Sequence, residues 1–114
     1  MIVNKTNTKQ YQWGNNCNSW ELFQSKKAII KEEIMPPLTE EQLHLHKKTE
    51  QFFYILEGEA TFIVDGKKGV VSQNEGIKIK IGQPHKISND ASRILRFLVI
   101  SFPGNVNDRI NLDQ

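Results

Sequence analysis

The chain has three histidines, and all three fall where one metal ion would use them: His44-Leu45-His46, then His85, with Gln51 five positions after the pair. Side chains at i and i+2 of a strand leave the same face, so His44 and His46 converge on one point if this stretch is extended. Gln51 and His85 then supply the remaining donors. Three neutral imidazoles and one side-chain oxygen suit a borderline divalent ion such as Zn, Ni, Fe, Mn or Co, with room left for water or substrate. Ligand type does not choose among those ions. A His-x-His pair alone is a weak signal, because a histidine on a strand is more often solvated than ligating. The weight lies in three of three histidines standing in register with Gly58, Gly82 and Asn89.

The elements that must hold these donors are short strands. No segment shows a helical period of useful length. Instead, β-branched and aromatic runs recur every eight to twelve residues, separated by Gly, Pro, Asn or Asp, which argues for an all-β chain. The expected strands are Trp20 to Phe23, Lys27 to Met35, Leu43 to His46, Gln51 to Glu57, Ala60 to Asp65, Gly69 to Ser72, Ile77 to Ile81, His85 to Asn89 and Ile94 to Ser101. Asp65-Gly66 between two apolar runs is a hairpin signal, since both central positions of the favoured turn need positive φ. Met35-Pro36-Pro37 ends a strand, because proline cannot donate to a ladder. Ile77-Lys78-Ile79-Lys80-Ile81 alternates strictly, with one face in the core. From Ile94 to Ile100 only Arg96 interrupts apolar character on both faces, which predicts cover from both sides. A second copy of the chain is the simplest outer cover, and Phe52 and Tyr54, facing opposite Phe53 and Ile55, make the same case for a homodimer. The alternative is the N-terminal segment around Trp13 and Trp20.

The two histidine stretches resemble the motifs of the cupin family, G-x5-H-x-H-x3,4-E-x6-G and G-x5-P-x-G-x2-H-x3-N. Here they run Leu38-x5-His44-x-His46-x4-Gln51-x6-Gly58 and Asn74-x5-Lys80-x-Gly82-x2-His85-x3-Asn89, with every spacing kept over about 50 residues. The stretch HLHKKTEQFFYILEGEA is similar to small single-domain bacterial cupins. The resemblance implies a double-stranded β-helix, the jelly-roll or cupin barrel, as a single domain over 1–114, with a conserved barrel at about 27–101 and both terminal extensions packed on it. Four positions depart from the pattern. Leu38 replaces a glycine and puts the turn after Pro37 in doubt, because leucine is strained at positive φ. Asn74 replaces another glycine, a mild change, since Asn tolerates left-handed backbone. Lys80 replaces a proline and is expected to point to solvent, although from the barrel mouth it would hold an anionic ligand.

Gln51 stands where the family's fourth ligand is usually glutamate. Its amide oxygen coordinates without charge, so a divalent ion would keep its full charge and favour an anionic ligand. Glu50 is the rival: a gap of three from His46 also fits the family, but leaves seven residues before Gly58. A one-residue shift turns the opposite side chain inward, so only one of the two faces the pocket unless a bulge intervenes. Spacing to Gly58 favours Gln51.

Composition narrows the rest. With 114 residues the chain has room for one core and no second domain. A 38% apolar and 25% charged content, with no long apolar run, excludes a membrane span. The opening MIVNKTNTKQYQWGN has no apolar leader, and one cysteine, Cys17, excludes an internal disulfide, so the cytoplasm is expected. Cys17 is read as structural, because Asn16 and Asn18 offer no cation to activate it. A net charge of +2, with lysines paired at turns, does not suggest nucleic acid.

Three functions follow. One is a metalloenzyme on a small polar or anionic molecule, sugar-like or carbonyl, for which the resemblance offers isomerase-like, epimerase-like and dioxygenase-like precedents. The second is a non-catalytic, sugar-binding cupin module, and the third a structural cupin without a site. Proton transfer needs a titratable group near the metal, and the unassigned acids beside the motif are Glu50, Glu57 and Glu59. Asp108 and Arg109 in the tail have no role that the sequence supplies.

Overall fold

A computed structural model describes residues 1–104 and 107–113. Among these residues there are twelve strands and no helix: β1 (Lys9–Trp13), β2 (Cys17–Gln24), β3 (Ile29–Met35), β4 (Thr39–Glu40), β5 (His44–His46), β6 (Glu50–Glu57), β7 (Ala60–Val64), β8 (Lys67–Val71), β9 (Gly76–Ile79), β10 (His85–Asn89), β11 (Leu95–Phe102) and β12 (Arg109–Asn111). They form two sheets, in the orders β1-β2-β3-β11-β6-β9 and β12-β5-β10-β7-β8, with β4 pairing to β10. All pairings are antiparallel and most join strands far apart in sequence. This is the expected all-β double-stranded β-helix.

The core lies between the sheets and follows from period-2 alternation. Phe53 and Ile55 of β6, Leu95, Phe97 and Val99 of β11, Phe62 of β7, Ile79 of β9 and Ile87 of β10 are buried. Phe53 stands 5.1 Å from Phe62 and 5.8 Å from Phe97 between ring centroids, so one aromatic cluster ties the two sheets together. Each such side chain contributes about 1.5–3 kcal/mol by leaving water. The cluster floors the barrel just below the histidines, with the His85 ring 6.3 Å from that of Phe53.

Turns carry the backbone where the sequence indicates. Asp65 and Gly66 have φ of 52° and 77°, the positive pair that a tight hairpin needs, and Asn74 takes φ 67°. Leu38 keeps the turn that it put in doubt: it adopts φ 60°, its N–H donates to Asn89 O at 2.8 Å, and its side chain is 81% exposed. Asn89 is fully buried and also donates from Nδ2 to Met35 O and Arg93 O. Those bonds offset a left-handed leucine, which costs roughly 1–2 kcal/mol.

Several boundaries differ from expectation. The β9 strand stops at Ile79, and Ile81, expected in the core, is 57% exposed. The chain turns there: Gln83 N donates to Lys80 O, Lys80 N to Gln83 Oε1, and Gly82 takes φ 76°. Lys80 points to solvent, as expected. Three strands, β1, β4 and β12, lie outside the expected set; all are short or polar and lack an apolar alternation. The N-terminal hairpin β1-β2 extends the first sheet at its edge and does not cover Phe52 and Tyr54. Trp13 instead packs against the core from the inner face, and Trp20 lies under the Lys5 ammonium.

Candidate metal centre

The short strand β5 lies between β10 and β12, and His44 pairs in register with His85. Cross-strand partners sit close on one face, and the rings of His44 and His85 are 4.3 Å apart between centroids, with His46 at 5.1 Å from His44 and 6.0 Å from His85. One nitrogen from each ring lies within 4.8 Å of the others. All three imidazoles are therefore brought together, as the spacing predicts.

Their tautomers are fixed from behind. His44 Nδ1 lies 2.7 Å from Gln42 O and His85 Nδ1 lies 2.9 Å from Gln83 O, each a carbonyl two residues upstream. A carbonyl only accepts, so both Nδ1 atoms carry the proton and both Nε2 atoms present a lone pair. His46 Nδ1 faces Asp108 Oδ1 at 3.1 Å. Burial is the main reason that His44 is held down to about 3 and His85 to about 4, with Arg109 and neighbouring rings adding and the carbonyl hydrogen bonds opposing. At neutral pH both rings are free to ligate.

Gln51 comes from β6, in the opposite sheet. Strand alternation turns Gln51, Phe53 and Ile55 inward and Glu50, Phe52 and Tyr54 outward. Glu50 pairs with Lys78 on the outside at 3.4 Å. Gln51 Nε2 donates to Ser101 Oγ at 3.1 Å, its register partner on β11, which leaves Oε1 3.2 Å from His85 Nε2. Two lone pairs thus face each other at a separation close to the roughly 3.0–3.4 Å between neighbouring ligands bonded at about 2.1 Å to one ion. A cation placed between the two atoms would be bound by both. The donor set therefore fits a metal.

Beyond the histidines the barrel opens into a cavity of about 710 Å³ whose walls include Tyr11, Lys31, Glu33, Glu41, Asp108 and Arg109, within the usual range for small-molecule sites. Glu33 and Glu41 are two of the three glutamates lining this cavity, Glu40 being the other, and the sequence singled out none of them. Burial pushes the Glu33 and Glu41 carboxyls up, Glu41 to about 8, and the charge of Glu33 adds to the effect on Glu41, while Arg109 and the Ile87 N–H oppose it. Of the acids beside the motif, Glu50 and Glu57 form outer-face ion pairs and Glu59 is exposed. Asp108, to which the sequence gives no role, belongs to the site as well. Burial would raise its carboxyl, but Thr49, the Lys48 N–H and His46 outweigh that and hold it below its ordinary value. A carbonyl two residues upstream and an aspartate 62 positions away leave no sequence spacing to detect.

Residues 31–101 match the family model described as a cupin domain. The chain belongs to the cupin family. This cupin is 33% identical over 82 residues to the uncharacterized protein MJ1618 of Methanocaldococcus jannaschii, a match covering 72% of this chain and 66%, just under two thirds, of that one. In fold it is similar to a predicted oxalate decarboxylase of Thermotoga maritima (TM-score 0.82, 24% identity, 90% of this chain and 99% of that one). It is equally similar to the polyketide cyclase RemF of Streptomyces resistomycificus (TM-score 0.84, 22% identity, 100% and 86%). A sugar phosphate isomerase of the cupin superfamily from Silicibacter pomeroyi follows (TM-score 0.80, 14% identity, 100% and 83%). At these identities the likeness to solved structures shows the fold alone.

Proposed function

We propose that this cupin is a small metalloenzyme whose divalent transition ion is held by the Nε2 atoms of His44, His46 and His85 and by Gln51 Oε1. The convergence of the three imidazoles, whose ligand atoms lie within 4.8 Å of one another with Gln51 Oε1 3.2 Å from His85 Nε2, carries the reading. Zn, Ni, Fe, Mn and Co all suit three imidazoles and an amide oxygen. The decisive test is elemental mass spectrometry of untagged protein. Near-stoichiometric metal, lost in His85→Ala, is expected; wild-type protein that carries no metal and takes none up from any of the five ions would overturn the proposal.

When bound, the ion supplies Lewis-acid polarisation of a substrate oxygen. The chain's own residues do the rest. A small polar or anionic substrate, sugar-like or carbonyl, enters the cavity and meets Arg109 and Lys31 as cations. Glu41, its value near 8, holds a proton at neutral pH and is suited to give it up or take it back. This supports an enzyme, of the isomerase, epimerase or dioxygenase kind, over the alternative of a non-catalytic sugar-binding module, which would need no such group. The substrate is to be found by screening metal-loaded protein, and activity that survives Glu41→Gln would refute the proton-transfer role.

We further propose that residues 1–114 act as one cupin domain, with the barrel at about 27–101, and that two copies associate as a homodimer in the cytoplasm, with no nucleic-acid or membrane partner. Support for the unit comes from β1-β2 extending one sheet and β12 pairing with β5 in the other. Support for the dimer comes from the outer face of the first sheet, where Trp20, Phe23, Ile30, Leu98, Ile100, Phe52 and Tyr54 share rows of one register. Phe23 is 51% and Phe52 38% exposed, an apolar face of the sort that marks an interface. Sedimentation of wild type and Phe52→Glu decides: a wild-type monomer sinks the proposal. No helix is long and apolar enough to cross a membrane, and the buried unpaired Cys17 agrees with a reducing compartment.

A further inference from the structure

Two of the three imidazoles are oriented by a carbonyl two residues upstream, in the segment leading into their own strand, and the third is not. His46 takes its partner from the tail, 62 positions away. We infer that Asp108 is a positioning residue of the metal centre: its carboxylate fixes the tautomer and ring direction of His46, so that Nε2 faces His44, His85 and Gln51. The inference rests on the metal-site reading for its consequence, although not for its geometry.

The carboxylate is shared out in a definite way. Oδ1 serves His46 at 3.1 Å, while Oδ2 accepts from the Lys48 N–H at 2.7 Å and the Thr49 hydroxyl at 2.8 Å. With three donors in place the Asp108 side chain is only 5% exposed. The tail is aligned to deliver it. Along β12, Arg109 pairs with His46, Ile110 with Leu45 and Asn111 with His44, so the tail strand runs beside the whole ligand strand. Leu112 N donates to Leu43 O at 2.8 Å and Lys47 N to Asp108 O at 3.2 Å, closing the ladder at both ends. Gly82 N donates to His46 O, fixing the ligand strand from the other side. A carboxylate on the far nitrogen of a ligating imidazole orients the ring and strengthens the donor, and losing one typically weakens metal binding about 10–100-fold.

A purely structural cap of the loop from Lys47 to Thr49 would use Oδ2 alone, and Asp108→Asn separates the two roles. If the amide oxygen keeps the two loop donors, its NH2 faces His46 Nδ1, which must then accept. The imidazole proton moves to Nε2 and blocks one ligand position. The experiment records nitrogen-15 spectra of the histidines in metal-free protein at mildly alkaline pH, together with calorimetric titration by Co²⁺, for wild type, Asp108→Asn and Thr49→Val. Expected results are an Nδ1–H tautomer for His46 in wild type, a shift toward Nε2–H in Asp108→Asn, and Co²⁺ affinity about 10–100-fold weaker in that variant. Thr49→Val, which removes only a loop hydrogen bond, should lower thermal stability and leave the His46 tautomer unchanged. A wild-type His46 in the Nε2–H form overturns the inference, and so does an Asp108→Asn protein with the wild-type tautomer and Co²⁺ affinity within twofold. Because the wild-type spectrum decides by itself, failure of the variant to fold does not protect the idea. If wild type binds no Co²⁺, the metalloenzyme reading falls, while the tautomers still decide what Asp108 does to His46.

Discussion

Lowering the pH from 7 to 5 should scarcely weaken metal binding through His44 and His85. An imidazole must lose its proton before it ligates. With an ordinary value of 6.5, a histidine would be about 97% protonated at pH 5, and each such ligand would cost about 25-fold in apparent affinity between the two pH values, about 600-fold for the pair. Here the values are about 3 and about 4, set mainly by burial. At pH 5 the two rings are then roughly 1% and 10% protonated, and their joint cost is about 1.1-fold. The assay is nitrogen-15 detection of His44 and His85 in metal-free protein across this range, beside Co²⁺ titrations at the same pH values. Titration midpoints above about 5.5 for either ring would refute the burial argument. The same shifts have a stability consequence whose sign is fixed. Histidines in the unfolded chain take up protons near 6.5, while the folded rings do not until about 4 and 3. Their contribution to the metal-free fold is therefore complete above 6.5, and is lost as pH falls through that window at about 1.4 kcal/mol per pH unit for each ring, levelling off at the folded values.

Glu41 works in the opposite direction. Its carboxyl rises from 4.5 to about 8, so its contribution is complete below 4.5 and is lost as pH climbs toward 8; wild type should lose about 1.4 kcal/mol per pH unit relative to Glu41→Gln over that interval in urea unfolding, and parallel curves for the two proteins would reject the shift. The neighbours Glu50 and Gln51 on β6 should separate cleanly. Gln51→Ala is expected to weaken Co²⁺ binding by at least about tenfold, by analogy with losses of supporting groups around metals, whereas Glu50→Ala, which removes only an outer ion pair with Lys78, should stay within twofold; the reverse order would move the fourth ligand to Glu50.

Alternation made much of this legible. In β6 a period of two puts Gln51 inside with Phe53 and Glu50 outside with Phe52, and the spacing to Gly58 independently selects the same residue. Gly58 is irreplaceable there for a packing reason as well: at φ 85° a Cβ would stand 2.5 Å from Ile94 O. What was hidden lies where polarity and periodicity disagree. Strand β3 sends Ile29, Lys31 and Glu33 into the cavity, so its inward face is charged and looks like a solvated one. Strand β12 is exposed at all three positions and owes its place to backbone pairing with β5, which side-chain patterns do not record. Ile81 misleads for a related cause. Alternation persists in the sequence after the ladder has ended, and the turn from Lys80 to Gln83 takes over.

The interleaving of strands also governs how this site comes into being. The His44–His85 pair exists only once β5 and β10 have met, and His46 gains its partner only when β12 has docked. His44, His46 and Gln51 are near neighbours in sequence, but His85 lies 34 positions beyond Gln51, so the full set of four donors would exist only after long-range loop closure. Tight ion capture would then be a checkpoint on a finished barrel rather than a seed for it, and partly assembled chains should be poor competitors for scarce metal. Once captured, the ion would act as a clasp on the two sheets: at a free concentration a thousand times the dissociation constant it would add about 4.1 kcal/mol to the native state, so metal supply would set the lifetime of the fold.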